Sequence, residues 1–525
     1  MRSFLLSFGA DHWVLSAMLL WPLIAAVAVR VIGRDTSRDE NGAEAPSGGP
    51  DARVLTAAAM IGEALLGVVL WLVYDPDAHG WQARADWPWL SDIGASFSVG
   101  VDGLGLPMVV LTALLMPLAF LGSWNNVRIK TPAFGAVALT MTAGIIGIFA
   151  SLDLLLFYVS WELMLIPMYF LIGIWGTGAH ARASLRYVVF NLVGSLLMLV
   201  AIAFLWKLGG GTSFHIDHFL TVKLNRETQL LMFGAFFLAF AVKSALVPFH
   251  TWLPDAQSSA PTFAAVALGL KVGTYAVLRF AIPLFPAAAT DPTVRETILM
   301  LSVIGIVYGA LLAMAQRDVK RLIAYSSISH LGFIMLGAFA LTQQSVQGSV
   351  MMMVNHGITT SALFVLVGIL QDRRGATDMQ EFGGLARVMP TFAVVFTLAI
   401  LSTIGLPGTN GFVGEFLVLI GTFAEQPILA VIATTGVIFA AVYGLGALQK
   451  ILFGQVKDAR NMHLRDLSGR ERVVLSVFVV AMVWLGVAPQ GVLHRVERAS
   501  HGVVESVRFG TNAPTARTNF SANRQ

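Results

Sequence analysis

Cysteine is absent from this sequence of 525 residues. A chain without cysteine forms no disulfide, binds no iron–sulfur cluster through thiolates and builds no cysteine-based zinc site. Charged residues are also scarce: they make up 12% of the chain, against about a quarter in a soluble domain. Hydrophobic residues account for 56%. This composition predicts a protein that crosses a membrane several times.

Several motifs that mark cofactor or hydrolytic sites are missing as well. The sequence contains no GxxxxGK[ST] loop, no strand-embedded GxGxxG and no HExxH. It therefore predicts no nucleotide, flavin or metal site, and no cofactor in this chain. The net charge of +4 is small, and the basic loops of a membrane protein account for it without nucleic acid.

Fourteen apolar segments are each long enough, at about 20 residues, to cross a bilayer as an α-helix. They predict an all-α polytopic membrane protein. The first segment lacks a small-residue cleavage site, so we interpret it as a retained helix and not a signal peptide. The segments lie near residues 13–32, 54–74, 104–122, 132–150, 153–175, 185–207, 229–250, 261–286, 297–315, 321–341, 346–370, 391–422, 427–449 and 471–490.

Polar stretches separate some of these segments. They lie at 33–53, 75–99, 208–228, 454–470 and from about residue 495 onward. The 33–53 stretch is rich in Gly and Pro and is predicted to be flexible. The tail from Thr511 is predicted to be disordered.

The basic residues predict an orientation. Lys and Arg follow segments 1, 3, 5, 9, 11 and 13, whereas the loops after segments 4, 10 and 12 carry almost none. The positive-inside rule then places both termini on the outer face of the membrane. The loop at 208–228, with Lys223 and Arg226, is the main exception.

Two segments contain helix breakers in matching positions. Segment 7 runs into LVPFHTWLP, and segment 12 contains ILSTIGLPGTNGFVGEF. Proline removes a helix hydrogen bond, and paired interrupted helices in two halves of a chain indicate an inverted-repeat transporter. We therefore predict an N-terminal unit at 1–131, repeat 1 at 132–286, repeat 2 at 297–453 and a C-terminal part at 454–525. Each repeat holds five helices, 4–8 and 9–13.

Four of the charged residues inside apolar segments, where a charge costs about 2.5–3.5 kcal/mol at the bilayer centre, are candidates for ion transport. Glu162 and Lys243 suggest ion transport, although either could bond to a neighbouring helix for packing alone. Lys271 could instead reach the membrane surface along its flexible stem. Glu415 could merely cap the second half of segment 12.

Three histidines are further candidates for a proton path. His330 and His356 lie in neighbouring segments with hydroxyl residues nearby, and His250 lies within the break of segment 7. A histidine on a helix can also be a hydrogen-bonded core residue, so both interpretations stay open. Asp153 is predicted to cap a helix and Asp102 to form a turn or helix start.

A surface cluster contains His215, Asp217 and His218. Its spacing fits no metal-ligand motif.

Five stretches carry a family resemblance: FYVSWELMLIPMYFLIGIWG, AFAVKSALVPFHTWLPDAQSSAPT, RDVKRLIAYSSISHLGFIMLG, NHGITTSALFVLVGIL and STIGLPGTNGFVGEF. Together they resemble the antiporter-like membrane subunits of respiratory complex I, and the M-type subunits most of all, from about Asp102 to Lys457. The resemblance implies fourteen helices with two inverted five-helix repeats and broken helices 7 and 12. It also implies proton translocation in the bacterial inner membrane, as one subunit of an NADH:quinone oxidoreductase.

The family's functional residues correspond to positions in these motifs. The resemblance implies roles in proton translocation for the WELM glutamate, the helix 7 AVK lysine, the central helix 8 lysine, the SH and NHG histidines and the GEF glutamate, which are Glu162, Lys243, Lys271, His330, His356 and Glu415. Two features depart from the family pattern. Gln257 occupies a position where the family usually has histidine, and the stretch from Pro261 to Lys271 is about three residues short, nearly one helical turn.

The resemblance implies partners and leaves alternatives. The partners would be other membrane-arm subunits, including neighbouring antiporter-like subunits, within the lipid bilayer, and protons would be the transported species. NADH and quinone would act only through partner subunits, which would also supply the redox energy. A subunit of a multi-subunit Na⁺/H⁺ antiporter, the membrane arm of a hydrogenase or carbon-uptake complex, and a scaffold without transport are the alternatives.

Overall fold

The computed structural model describes residues 2–35, 49–127 and 129–508. Most of the polar stretch 33–53 and the tail from Thr511, predicted to be flexible and disordered, lie outside these residues. The described part of the chain is mostly helical, as predicted.

The first third of the chain holds the N-terminal helices and a β-hairpin. In chain order these elements are α1 (Arg2–Ser7), α2 (Ala10–Ile32), α3 (Ala52–Val73), β1 (Gln82–Leu90), β2 (Ala95–Val101), α4 (Gly105–Gly122), α5 (Thr131–Ala150), α6 (Leu154–Trp175), α7 (His180–Leu208) and α8 (Ile216–Phe219).

Short helices dominate the middle of the chain. They are α9 (Arg226–Lys243), α10 (Trp252–Ser259), α11 (Thr262–Leu268), α12 (Val272–Ala276), α13 (Ile282–Leu284) and α14 (Pro286–Ala289), with a π-helical turn at Val277–Ala281 between α12 and α13.

The last part of the chain consists mainly of long helices, with shorter ones between α17 and α21. They are α15 (Pro292–Met314), α16 (Val319–Ala340), α17 (Gln343–Arg374), α18 (Leu385–Val388), α19 (Pro390–Thr403), α20 (Asn410–Phe423), α21 (Pro427–Leu452), α22 (Gly469–Val487) and α23 (Gln490–Arg508).

Within the described residues, 11 helical spans are long and apolar enough to cross a membrane, or 12 if α22 and α23 count as one bent span. Predicted segments 7 and 12 are each broken into two shorter helices, α9 with α10 and α19 with α20. These numbers are compatible with fourteen crossings and two inverted repeats, which stay predictions.

A two-stranded antiparallel sheet adds to the helices, and counting apolar spans did not predict it. Strand β1 pairs with β2, and Trp87 stacks on Phe97 across the pair with ring centroids 5.3 Å apart. Strand β1 is mostly exposed and β2 mostly buried, and neither contains an apolar run long enough to span a membrane. Spanning segments therefore give no signal for the hairpin. Helix α23 was missed for the same reason, because its apolar face is only a stripe.

The loops gather at two ends of the helix bundle. At one end the stretch before the hairpin contacts the segment around α8, where Trp81 Nε1 donates to Asp217 Oδ1 at 3.2 Å, and α23, where Arg498 pairs with Asp77. At the other end Arg374 pairs with Asp458 at 2.7 Å. This grouping agrees with the alternation of loops used to predict orientation, and the assignment of inside and outside stays a prediction.

The spans that carry Lys271, His330 and His356 form the centre of the bundle, whereas α6, which carries Glu162, is half-buried. The most apolar stretches of the Thr262–Leu284 span and of α17 are 100% buried, against 39% for α2 and α3. A charged side chain on the central helices is therefore enclosed by protein and shielded from lipid.

Candidate functional site

The break in predicted segment 7 leaves Lys243 inside the protein. Helix α9 ends at Lys243 and α10 begins at Trp252. Pro248 and the left-handed backbone of Ala245 (φ 47°) keep the helix from continuing between them. Trp252 Nε1 donates to the Val242 carbonyl oxygen at 2.9 Å, so one carbonyl near the break keeps a partner.

The ammonium of Lys243 lies among aromatic rings. The residue is 8% exposed, and its Nζ donates a hydrogen bond to Tyr187 Oη at 3.1 Å. The same nitrogen lies 5.5 Å from the Trp161 ring centroid and 5.2 Å from that of Tyr187. Aromatic faces attract cations, so these rings stabilise the charge without a carboxylate in contact. Sequence analysis missed both residues, because aromatic side chains occur throughout the core.

Glu162 lies on α6 and is half-buried. Its Oε1 atom is buried and has no hydrogen-bond partner among the described residues. No ion pair within 4.0 Å joins Glu162 to Lys243. Their charges still interact, and Tyr187, which holds Lys243, also lies within electrostatic range of Glu162. The two residues therefore stand apart in this structure, with a tyrosine near both.

Lys271 occupies a third break, which sequence analysis did not predict. Helix α11 ends at Leu268 and α12 begins at Val272, with Lys271 between them at φ −90° and ψ 47°. The segment reads as one continuous apolar run, so it carries no breaker signal beyond Gly269. Lys271 is 4% exposed and faces the protein interior, as predicted, despite the shortened stretch before it.

A small cavity connects the two lysines. It has about 10 Å³ of space for the centre of a water molecule, roughly the room for one water. Polar side chains in its lining are Lys243, Lys271, Ser244, Gln257, Thr274 and Ser327. Ser244 Oγ and both amide atoms of Gln257 are buried without a hydrogen-bond partner among the described residues. Such atoms are the usual ligands of an internal water.

A second cluster joins α16, α17 and α20. The rings of His330 and His356 lie 4.7 Å apart, and His330 Nε2 lies 3.3 Å from Glu415 Oε1. His330 Nδ1 is 2.7 Å from the Ser326 carbonyl oxygen. Because a carbonyl only accepts, Nδ1 must donate there, and an ionised Glu415 would require a proton on Nε2 as well. His330 Nε2 also lies 3.1 Å from the Thr403 carbonyl oxygen, so this nitrogen has two acceptors within reach.

Glu415 reaches His330 through the break in predicted segment 12. Gly405 has a left-handed backbone (φ 72°), and a Cβ atom there would lie 2.3 Å from Glu415 Oε2. Only glycine allows the carboxylate to approach so closely. Glu415 stands a full turn inside α20, which starts at Asn410, so it does not cap that helix.

Asparagines support the second break. Asn355 Nδ2 donates to the Asn410 carbonyl oxygen at 2.5 Å, and Asn410 Nδ2 donates to the Asn355 carbonyl oxygen at 3.1 Å. A cavity with about 20 Å³ of space for water centres lies beside this pair, lined by the two histidines and Glu415. His356 also lies within electrostatic range of Lys271, which connects this cluster to the first. Sequence analysis did not select the asparagines, because neither is charged.

His250 is not part of either cluster. It is 6% exposed, its ring packs edge-on against Tyr308 with centroids 5.4 Å apart, and it lines neither cavity. His215 caps α8 by accepting from Asp217 N at 3.2 Å. No group of three or more potential metal ligands occurs among the residues that the structure describes.

Two aspartates begin helices, as predicted. Asp153 Oδ1 accepts from Leu155 N at 2.8 Å at the start of α6. Asp102 accepts from Leu104 N at 2.9 Å before α4 and also pairs with the buried guanidinium of Arg279. This ion pair was not predicted, because the two residues are far apart in the chain.

Comparisons with known proteins give one consistent result. Residues 151–440 match the family described as NADH:quinone oxidoreductase/Mrp antiporter, TM. The chain is 37% identical over 490 residues to NADH-quinone oxidoreductase subunit M of Rhodobacter capsulatus, covering 91% of this chain and 93% of that protein.

Solved structures agree. A chain in the structure of respiratory complex I from Thermus thermophilus with bound NADH is similar at 31% identity and a TM-score of 0.84, covering 94% of this chain and 99% of that one. A chain of the Mrp complex from Dietzia sp. DQ12-45-1b is 22% identical with a TM-score of 0.76, covering 93% of this chain and 51% of that one. The similarity to the Mrp complex chain shows only that the two chains share a fold.

Proposed function

The chain belongs to the NADH:quinone oxidoreductase/Mrp antiporter transmembrane family, and from that membership we propose that it is a proton-translocating membrane-arm subunit of a complex I-type NADH:quinone oxidoreductase. The observation that carries the proposal is the set of buried ionisable side chains near three helix breaks, of which Lys243 and Lys271 line one small polar cavity and His330, His356 and Glu415 line another. Such residues inside a membrane protein mark ion pathways.

In the first half of the relay, Glu162 controls the proton on Lys243. When the two move closer, the carboxylate stabilises the ammonium and Lys243 keeps its proton. When they stand apart, Lys243 has only Tyr187 and aromatic faces as partners. It then releases its proton through the cavity towards Lys271.

In the second half, the proton passes from Lys271 to the histidine cluster. His356 lies within electrostatic range of Lys271 and receives the proton, and His330, 3.3 Å from Glu415, passes it on to that carboxylate. Thr360, which bonds to His356 Nδ1 at 2.8 Å, holds that ring in place. His250, outside both clusters, has no step in this relay.

The energy for these movements comes from partner subunits. The chain has no cysteine and no nucleotide motif, so NADH oxidation and quinone reduction belong to other subunits of the assembly. We place the chain in the bacterial inner membrane with both termini on the periplasmic side. Neighbouring antiporter-like subunits and lipid surround it.

Substitutions of Lys243 and Glu162 test the relay. Lys243→Arg keeps the positive charge but holds its proton, so pumping should fall sharply while the complex still assembles. Glu162→Gln and Glu162→Ala should be about as damaging, and Glu162→Asp milder. The measurement is proton uptake into proteoliposomes driven by NADH and quinone. Pumping at the wild-type rate in Lys243→Arg would show that Lys243 need not release its proton, and the relay would be wrong.

The main alternative is a subunit of a multi-subunit Na⁺/H⁺ antiporter, since the family includes both. The same vesicles separate the two functions. Redox-driven acidification that persists without Na⁺ supports the complex I function. Transport that requires Na⁺ and proceeds without NADH would indicate the antiporter function instead.

A further inference from the structure

Trp124 lies against two arginines that come from different helices. It follows the C-terminal end of α4, and the guanidinium carbons of Arg53 and Arg470 lie 5.3 Å and 5.6 Å from its ring centroid. Arg53 is the second residue of α3, and Arg470 is the second residue of α22. The ends of three helices therefore meet at this ring, and the three residues form what we call the Trp124 site.

The positive charge at this site is only partly balanced. Arg470 makes no hydrogen bond or ion pair with any residue that the structure describes, and its Nε atom is buried without a partner. Glu471 and Asp372 act on its charge from a distance, whereas Arg53 repels it. Arg53 pairs with Asp51 through Nε and Nη2, at 3.5 Å and 3.2 Å, and its Nη1 can still donate to another acceptor. An added anion would be attracted to both guanidinium groups.

Phosphate suits this arrangement. A guanidinium presents its N–H groups in a planar fork that matches two phosphate oxygens, and a phosphate with several oxygens can bridge two such groups. The backbone at the two helix starts is already capped, because Asp51 accepts from Arg53 N at 2.8 Å and Ser468 accepts from Glu471 N. The arginine side chains, and not the helix ends, would therefore hold the anion.

An apolar stripe leads away from Trp124 along α4. Leu114, Leu118 and Leu121 are the three residues of this helix that are not buried, and Leu114 is 39% exposed. With Trp124 they recur every three or four residues, so they share one face. Helix α4 packs against both α3 and α22, so the stripe starts where all three helices meet.

Helix α22 carries a second stripe. Val473, Val477 and Val480 are 66%, 46% and 65% exposed, and their spacing places them on the same face as Arg470. Both stripes start at the Trp124 site and run along helices that are apolar enough to cross a membrane. Tryptophan at the end of a spanning helix is typical of the lipid headgroup level. The site thus combines phosphate-binding donors at headgroup depth with apolar surface at acyl-chain depth.

We propose that the Trp124 site binds the phosphate of an anionic phospholipid, with the acyl chains along the stripes of α4 and α22. The stripes distinguish this ligand from free inorganic phosphate, which would gain nothing from apolar surface. A lipid bound in this way connects α3, α4 and α22, which are far apart in the sequence. Its binding is independent of proton transfer by the relay.

A photoactivatable phosphatidylglycerol with its reactive group on an acyl chain tests the proposal. The assembled complex is irradiated in detergent with this lipid, and the labelled peptides of this chain are identified by mass spectrometry. Labels should appear on α4 between Leu114 and Trp124 or on α22 between Val473 and Val480. Unlabelled phosphatidylglycerol should compete for the site, whereas phosphatidylcholine and inorganic phosphate should not.

Substitutions show which groups hold the headgroup. Arg470→Gln and Arg53→Gln should each reduce labelling of these peptides about fivefold, the usual contribution of one basic residue at an anionic membrane surface. Trp124→Leu keeps both charges but removes the ring that positions them, so it should also reduce labelling, and it decides the matter if an arginine variant fails to assemble. Arg387→Gln is the matched control: this exposed arginine of α18 has no contact with Trp124, and the variant should be labelled like wild type.

Several results would overturn the proposal. If an acidic segment of a partner subunit occupied the site, the peptides of α4 and α22 would stay unlabelled in the assembled complex. If phosphatidylcholine displaced the label as well as phosphatidylglycerol does, the site would not recognise an anionic headgroup. Displacement by inorganic phosphate would indicate a site for free anions instead. Labelling that is unchanged in Arg470→Gln, Arg53→Gln and Trp124→Leu would show that the Trp124 site does not hold the lipid.

Discussion

Glu63 is a buried acid with no place in the proposed relay. It lies on α3, is 1% exposed, and neither carboxyl oxygen has a partner among the described residues. A polar group buried without a hydrogen bond costs about 1–3 kcal/mol. Glu63→Met should therefore raise the melting temperature of the purified complex without slowing pumping. Leu65→Met, on the exposed face of the same helix, should change neither, and a clear loss of stability in Glu63→Met would contradict the expectation.

The ion pair of Asp102 and Arg279 predicts a stability change in acid. Burial raises the pKa of Asp102, but the Arg279 guanidinium and backbone N–H donors outweigh it and hold that pKa below its ordinary 3.8. A carboxylate with a lowered folded-state pKa adds stability above its unfolded pKa. That stability is lost as pH falls through the folded value. Melting temperature should therefore decrease below about pH 3.8.

Asp102→Asn is the matching variant. It leaves Arg279 buried and unpaired, which should cost about 3 kcal/mol at neutral pH. The variant should also lack the part of the acid-induced decrease that Asp102 contributes. If the melting temperature of the variant fell with pH in the same way as that of wild type, other carboxylates would be the cause of the decrease.

At the level of single residues, the sequence predicts the charged members of the candidate site. Glu162, Lys243, Lys271 and Glu415 stand out because a charge inside an apolar run is costly. Their uncharged partners carry no such signal: Tyr187 resembles any core aromatic. The separation of Glu162 from Lys243 also could not be predicted, because it depends on how α6, α7 and α9 pack.

At the level of helices, the close approach of Gly405 to Glu415 predicts a glycine requirement. Gly405→Ala would place a methyl group against the Glu415 carboxylate and should lower pumping strongly. Gly408 is the matched control, because it has a similar left-handed backbone (φ 91°) with nothing within 4 Å of an added Cβ. Gly408→Ala carries the same backbone strain of about 1 kcal/mol and should pump nearly normally. If pumping fell equally in both variants, backbone strain alone would explain the effect.

The breaks show what sequence can predict about helices. Prolines and glycines predicted the interruptions of segments 7 and 12, because these residues disfavour the helix wherever they stand. The interruption at Lys271 has almost no local signal. It arises where α11 and α12 pack within a fully enclosed part of the bundle, and such tertiary effects override local preference.

At the level of the whole molecule, the loop arrangement predicts the topology. A reporter fused after Arg524 should behave as periplasmic, and one inserted within 454–470 as cytoplasmic. The expectation follows from the excess of Lys and Arg in the loops after odd-numbered segments. The opposite pattern would reverse the direction of the proposed relay.

The broken helices also bear on how the chain enters the membrane during synthesis. Helix α20 has 14 residues and spans about 21 Å, too short for a hydrocarbon core of about 30 Å. Its first turn bonds to Asn355 on α17, which the ribosome has already made. The first break differs: the end of α10 bonds to Lys320, and Asp255 to Arg321, both on the later α16. We therefore expect α9 and α10 to reach their final packing only after α16 has been inserted. In contrast, α19 and α20 can pack against α17 as soon as they are synthesised.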